Sequence, residues 1–405
     1  MESLADLRRV LRVAGHRPDP PAPRSTSLEK LTGGTAQETG SGSIFVVTWE
    51  FPAGHSHGRV PLRLALDSSP DAFRVIAGRP EAPALPADRL LYLDVETTGL
   101  AGGTGTYAFL VGVGFFRQGR FAVRQYFMRD LDEEPALLAA LAELLPSFDG
   151  VVTYNGRGFD VPLLETRFIL GRLPWPTLWQ LDLLPFARRL WRHRLPDCRL
   201  PTIEARVLGV ERDDDVPGGL IPSLYFDYLR RRHPGELPRV FAHNRDDLLS
   251  LAALVGWSQA ALHDIGALSP EEQIGLGLRW EALDWERARR CYEAALGALR
   301  GEASSRVLLM LAARYKRRAE WRAAQRLWEA ALEAEGRFDP RPWEELAKFY
   351  EHRARNLREA RKVTVAALAR AEREWGDGEA HSRLRHRLRR LDRRLARAGP
   401  RLPLS

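Results

Sequence analysis

The period of hydrophobic and polar positions changes several times along the chain, and the changes mark out its elements. Leu90-Leu-Tyr-Leu-Asp-Val95 is a short apolar run carrying a single acid, which predicts a buried strand. Tyr107 to Phe116 predicts a second strand and Phe121 to Met128 a third, with Gly119 in the turn between them. Leu137, Leu138, Leu141 and Leu144 follow a helical period, and Val151-Val-Thr-Tyr154 returns to a strand. Helices are predicted after Phe159, near Asp182–Trp191, near Thr202–Leu208 and from about Asp246 onward, with Asp213-Asp-Asp-Val-Pro-Gly-Gly219 as a loop. Residues 89–265 therefore read as an α/β domain, a mixed central sheet with flanking helices.

Upstream, Phe45-Val-Val-Thr-Trp49 and Leu62-Arg-Leu-Ala-Leu66 alternate or cluster as strands do, so residues 44–88 are expected to form a small β lead-in. Residues 1–14 have the pattern of a short amphipathic helix. Pro18, Pro20, Pro21 and Pro23, then Ser, Thr and Gly up to Gly42, make residues 1–43 as a whole a flexible segment.

Beyond Ser269 the pattern becomes helical throughout and repeats. Trp285, Trp321 and Leu357 recur every 36 residues, as do Ala288, Ala324 and Ala360, and Ala295, Ala331 and Ala367. Leu311-Ala-Ala-Arg-Tyr315 and Leu346-Ala-Lys-Phe-Tyr350 match in the helices before two of the copies. Residues 270–400 are thus expected to be an all-α helical-repeat domain that resembles the tetratricopeptide pattern, small alanines letting helices approach closely.

Charge sharpens this division. The 405 residues carry a formal +8, but residues 271–405 hold 31 Lys and Arg against 21 Asp and Glu, which leaves 30 against 32 before them. A basic helix is expected over 373–397, where Arg383, Arg385, Arg387, Arg389, Arg390, Arg393, Arg394 and Arg397 crowd together. Basic repeat helices suit phosphate or a protein partner, and equally a solvated face. Cys198 and Cys291, 93 residues apart, form neither a metal-ligand spacing nor a disulfide framework, which suits a reducing cytoplasm. The longest apolar stretch is far short of a bilayer span, and no secretory leader is expected.

Three short segments carry candidate chemistry. Asp94 and Glu96 stand at i and i+2 on a strand, so both carboxylates project from one face; a hard divalent cation is the natural partner for such a pair. Tyr154-Asn155-Gly-Arg-Gly-Phe159-Asp160 runs from a strand through a glycine turn into a helix, where Asp160 is either a ligand or an N-cap. His243-Asn-Arg-Asp246-Asp247 opens a helix and places His243 and Asp247 on one face if the helix already includes the histidine. Asp182, in the apolar frame Leu181-Asp-Leu-Leu184, is either a supporting acid or a cap. His55 and His57 form a lone pair that reads more readily as turn histidines than as metal ligands.

In order and context, the three segments resemble the motifs of the DEDD exonucleases of the ribonuclease H-like superfamily, and the whole chain is most similar to its YprB-like branch. The resemblance implies two Mg²⁺ or Mn²⁺ ions held by Asp94, Glu96, Asp160 and Asp247, with His243 orienting or deprotonating the attacking water. It also implies that Thr97, Thr98, Gly99, Asn155 and Phe159 bind the terminal nucleotide. Family members place a tyrosine four, or a histidine five, residues before the last aspartate; here a histidine stands at four. Asp246 is the competing last acid, and Asp247 sets the register of the apolar residues that follow. The implied activity is 3′–5′ hydrolysis of single-stranded DNA or RNA. A structure-specific endonuclease on the same residues, or an adaptor that binds nucleic acid while its repeats recruit a protein partner, are the alternatives. No membrane partner is expected.

Overall fold

The computed structural model describes residues 27–99, 105–334, 336–374 and 378–398. The expected helix over 1–14 and the proline stretch to Pro23 lie outside them. Two units divide the chain, residues 1–288 and 289–405.

The first unit is built on a seven-stranded mixed sheet. Its strands are β1 (Thr35–Thr39), β2 (Gly42–Pro52), β5 (Leu90–Thr97), β6 (Ala108–Arg117), β7 (Arg120–Phe127), β8 (Gly150–Thr153) and β9 (Trp179–Asp182), and β3 (Ser56–His57) and β4 (Val60–Pro61) form a separate hairpin. The order is β1-β2-β7-β6-β5-β8-β9. Neighbours from β1 to β5 pair antiparallel, whereas β5–β8 and β8–β9 are parallel. The unbroken apolar pattern of β6 follows from burial on both faces.

In the same unit the helices are α1 (Leu28–Thr32), α2 (Arg63–Leu66), α3 (Pro70–Ala77), α4 (Glu134–Leu144), α5 (Asp160–Leu170), α6 (Leu183–Trp191), α7 (Leu200–Ile203), α8 (Ile221–Arg231), α9 (Leu237–His263) and α10 (Pro270–Trp280). A wide helical turn, Glu204–Leu208, continues α7. The 27-residue α9 lies against β5, β6 and β7 and buries most of its length, including Phe241, Asn244, Leu248 and Leu251. Phe109 of β6 stacks on Tyr225 of α8 at 4.0 Å between ring centroids, closing the core over the sheet.

Two expectations are corrected here. Leu62–Leu66 reads as a strand by alternation but forms α2; its buried positions, Leu62 and Ala65, are three apart because it packs on α9. Residues 27–43, expected to be flexible, hold α1, β1 and the start of β2, because β2 pairs along its length with β7 and gives the hairpin an edge to join. Strand β9 and helix α8 went unread: four residues are too few to show a period, and Ile221-Pro-Ser at the start of α8 breaks the apolar rhythm.

The second unit is helical. Helix α11 (Trp285–Ala298) spans the boundary, followed by α12 (Gly301–Arg317), α13 (Trp321–Glu333), α14 (Pro340–His352), α15 (Leu357–Glu374) and α16 (Glu379–Ala398). The 36-residue columns fall at equivalent places: Trp285, Trp321 and Leu357 each open a helix, and the alanines at 288, 324, 360, 295, 331 and 367 are buried. In α16, Arg387, Arg390 and Arg394 converge on buried Glu351 at 2.6–2.8 Å, so three of the eight arginines of the expected basic run are engaged with one buried acid.

Candidate active site

Strand β5 places two acids where its neighbours change from antiparallel to parallel. Leu90 to Leu93 are buried, and Asp94, Glu96 and Thr97 emerge half-buried near its C-terminal end, where the pairing with β6 shifts register between Glu96 and Thr97. The following loop is self-supported: the Thr97 hydroxyl donates to the Gly99 carbonyl at 2.8 Å, and the Tyr107 N–H donates to Thr98 Oγ1 at 3.0 Å. Gly99 faces open space, leaving its backbone approachable.

Parallel strand β8 ends next to β5 and turns through residues 154–159 into α5, whose first residue is Asp160. Asn155 takes a left-handed φ of 66°, which asparagine tolerates. A Cβ on Gly156 would come within 2.7 Å of Asp160 Oδ2, so glycine is what lets the turn fold onto the acid. Asp182 makes backbone contacts with two segments. It caps α6 by accepting from Leu184 N at 3.0 Å, and it accepts the Asn155 N–H at 2.8 Å, bracing the turn that leads to Asp160. Phe159 is 60% exposed beside that acid.

Helix α9 starts at Leu237, so His243, Asn244 and Asp247 are all helical. His243 Nε2 stands 3.9 Å from Glu96 Oε1 and 3.7 Å from Asp247 Oδ2. Asp246 turns aside and pairs with Arg245 at 2.7 Å. Of the two neighbouring acids, it is Asp247 whose charge reaches Asp94, Glu96 and Asp160.

Several residues around these acids escaped the sequence reading. Asn244 donates to Asp94 Oδ2 at 2.7 Å; fully buried Gln125 donates to Asn244 Oδ1 at 2.9 Å and accepts from Trp49 Nε1 at 3.0 Å. This relay exists because β6 has Gly112 opposite Asn244, where a Cβ would fall 2.0 Å from the amide oxygen. Arg212 donates to both Glu204 and Asp247, and Ser250 donates to Glu204. His57 meets Ser250 Oγ at 2.7 Å; since the serine proton goes to Glu204, the imidazole Nε2 is the donor. Burial pushes His57 down to about 4, and the His55 ring lies tilted against Phe51 at 4.8 Å between centroids. Asp215 Oδ1 lies 2.8 Å from His243 Nδ1. Asn244 sits inside a motif already singled out; Arg212 and Asp215 lie in a loop whose sequence gives no sign of where it folds back.

Burial and mutual repulsion among the acids dominate the electrostatics, although Arg212 pairs with Asp247 and His243 stands near Glu96. Burial, with Asp247, Glu96 and Asp160 nearby, raises Asp94 well above the ordinary carboxylate range. Burial brings Glu96 up to about 7 against the opposing pull of His243, and burial with Asp182 and Asp247 brings Asp160 to about 7. The neighbouring acids Asp247, Glu96 and Asp215 raise His243 against the effect of its burial. Among the described residues, no three His, Cys, Asp or Glu side chains are already drawn together to hold a metal ion. The donor set nevertheless fits a hard divalent cation, since it offers oxygen ligands whose mutual repulsion a cation would relieve.

A family model described as RNase_H superfamily matches residues 91–259, the span that contains every acid of the site. The chain is also 32% identical over 291 residues to "Uncharacterized protein YprB" of Bacillus subtilis (strain 168), covering 70% of each protein. The chain belongs to the YprB family. Its mixed sheet with flanking helices, followed by a helical region, is the ribonuclease H-like fold with an appended helical domain. Membership of that superfamily points to a nuclease hydrolase that acts on nucleic acid with divalent metal ions. No helix among the described residues is long and apolar enough to cross a membrane.

Proposed function

We propose that this YprB-family chain is a DEDD-type exonuclease that removes nucleotides from the 3′ end of single-stranded DNA or RNA. The observation that carries the reading is the convergence of Asp94, Glu96, Asp160 and Asp247 from three separate segments: burial and the neighbouring acids raise the first three carboxyls, and His243 faces Glu96 and Asp247. These four acids would hold two Mg²⁺ or Mn²⁺ ions, which when bound supply charge neutralisation and water activation. Asn244 holds Asp94 in place from behind, and Gly156 and Asp182 shape the turn that presents Asp160. His243 Nε2, aimed at the acids, takes the proton of the attacking water. The backbone at Thr97–Gly99 and the Asn155 side chain position the terminal nucleotide, and exposed Phe159 offers a ring for its base to stack on.

Residues 89–265 would be the nuclease domain, and residues 270–400 a tetratricopeptide-like array that takes a protein partner in the cytoplasm. With Mn²⁺, the purified protein is expected to shorten a 5′-labelled single strand stepwise, and Asp94→Ala to reduce this to background. Retained activity in the variant would show the ligands to be misassigned; cleavage of a circular strand would move the reading to an endonuclease.

A further inference from the structure

We infer that Asp215 is a positioning residue that orients the imidazole of His243, making the loop after the Glu204–Leu208 turn part of the reaction centre. This rests on the hydrolase reading above. A carboxylate only accepts, so at the 2.8 Å contact with Asp215 Oδ1, much shorter than the 3.4 Å approach of Arg212 Nη1 to the same nitrogen, the proton sits on His243 Nδ1. When the ring is neutral its lone pair is then at Nε2, the atom that faces Glu96 and Asp247. The helix fixes where the His243 Cβ points but leaves the ring torsion broad and two-fold. Asp215 removes that freedom.

The carboxylate is itself held. Asp215 Oδ1 accepts from Val216 N at 2.9 Å, and the Val216 side chain is buried in the core beneath the loop. Its other oxygen lies 3.6 Å from Arg212 Nη1, and that guanidinium is anchored on Glu204 and Asp247. One loop therefore braces two consecutive turns of α9, Asp215 gripping His243 and Arg212 gripping Asp247. An acid hydrogen-bonded behind an imidazole selects the tautomer and restrains rotation, and an amide in its place can donate to Nδ1 and move the proton to the wrong nitrogen.

The test uses the full chain, selectively ¹⁵N-labelled at histidine, with Mn²⁺ for kinetics and Mg²⁺ for spectra. Near about pH 9, where an imidazole is neutral, the wild-type His243 is expected to show the Nδ1-protonated pattern, and Asp215→Asn to shift it toward Nε2. In turnover, Asp215→Asn should lower kcat by about 10²-fold or more with KM within about twofold. In a His243→Ala background the same change should alter kcat by less than about twofold, because the residue acts through the imidazole. An Nε2-protonated wild-type ring overturns the inference without any variant, even if Asp215→Asn fails to fold. An undiminished effect of Asp215→Asn in the His243→Ala background also overturns it. A wild-type protein with no hydrolytic activity but an Nδ1-protonated ring would sink the hydrolase reading while upholding the positioning role.

Discussion

Glu96 and Asp160 are each brought up to about 7, far from the unfolded values near 4.5 and 3.8, and this has a definite sign. A raised carboxylate binds its proton more tightly in the folded state, so its stabilising contribution is complete below the unfolded value and is lost as pH rises through about 7. Without added metal, the melting temperature should therefore fall between about pH 5 and pH 8. Saturating Mn²⁺ should remove most of that fall, and its binding near pH 6 should release protons, seen by calorimetry as a heat that depends on the buffer. A flat metal-free profile would show the acids to be solvated. Asp94, Glu96, Asp160, His243 and Asp247 were readable in the sequence because each sits in a short segment whose strand or helix context is local. Arg212, Asp215 and Gln125 were not, because their roles come from contacts 28 to 119 residues away along the chain, which no local pattern encodes.

Between elements, the close approach of α9 to β6 carries the most consequence. Gly112 leaves room for Asn244, and Asn244 and Gln125 are both fully buried, so each must keep its partners. Gly112→Ala would drive a Cβ into the Asn244 amide, and a loss of about 1–3 kcal/mol is expected, measured by denaturant unfolding. Catalytic turnover should drop further than stability explains, since Asn244 also holds Asp94. A variant as stable and active as the parent would show that α9 can shift freely. The same helix shows why element boundaries were harder to read than element types: it was expected from about Asp246 but starts at Leu237, with Pro238 in a first turn where proline costs no hydrogen bond. The alanines at 36-residue spacing, by contrast, all fall at buried positions, where a small side chain lets helices come close.

Across the whole molecule, the net charge of the C-terminal third conceals two populations of arginine. Arg387, Arg390 and Arg394 are engaged with Glu351, while Arg389, Arg393 and Arg397 form an exposed stripe at four-residue spacing on α16. Replacing these last three with glutamate should flatten the slope of log affinity for single-stranded nucleic acid against log salt by about 2. Turnover of a short oligonucleotide should stay within about twofold, because the acid cluster is untouched. An unchanged slope would assign the stripe to solvent. In the first unit, α9 supplies the histidine, the amide and the last acid on one face and much of the core on the others. The candidate site and the core thus share the same 27 residues, so that face cannot drift independently: a substitution there is screened first by whether the chain still folds.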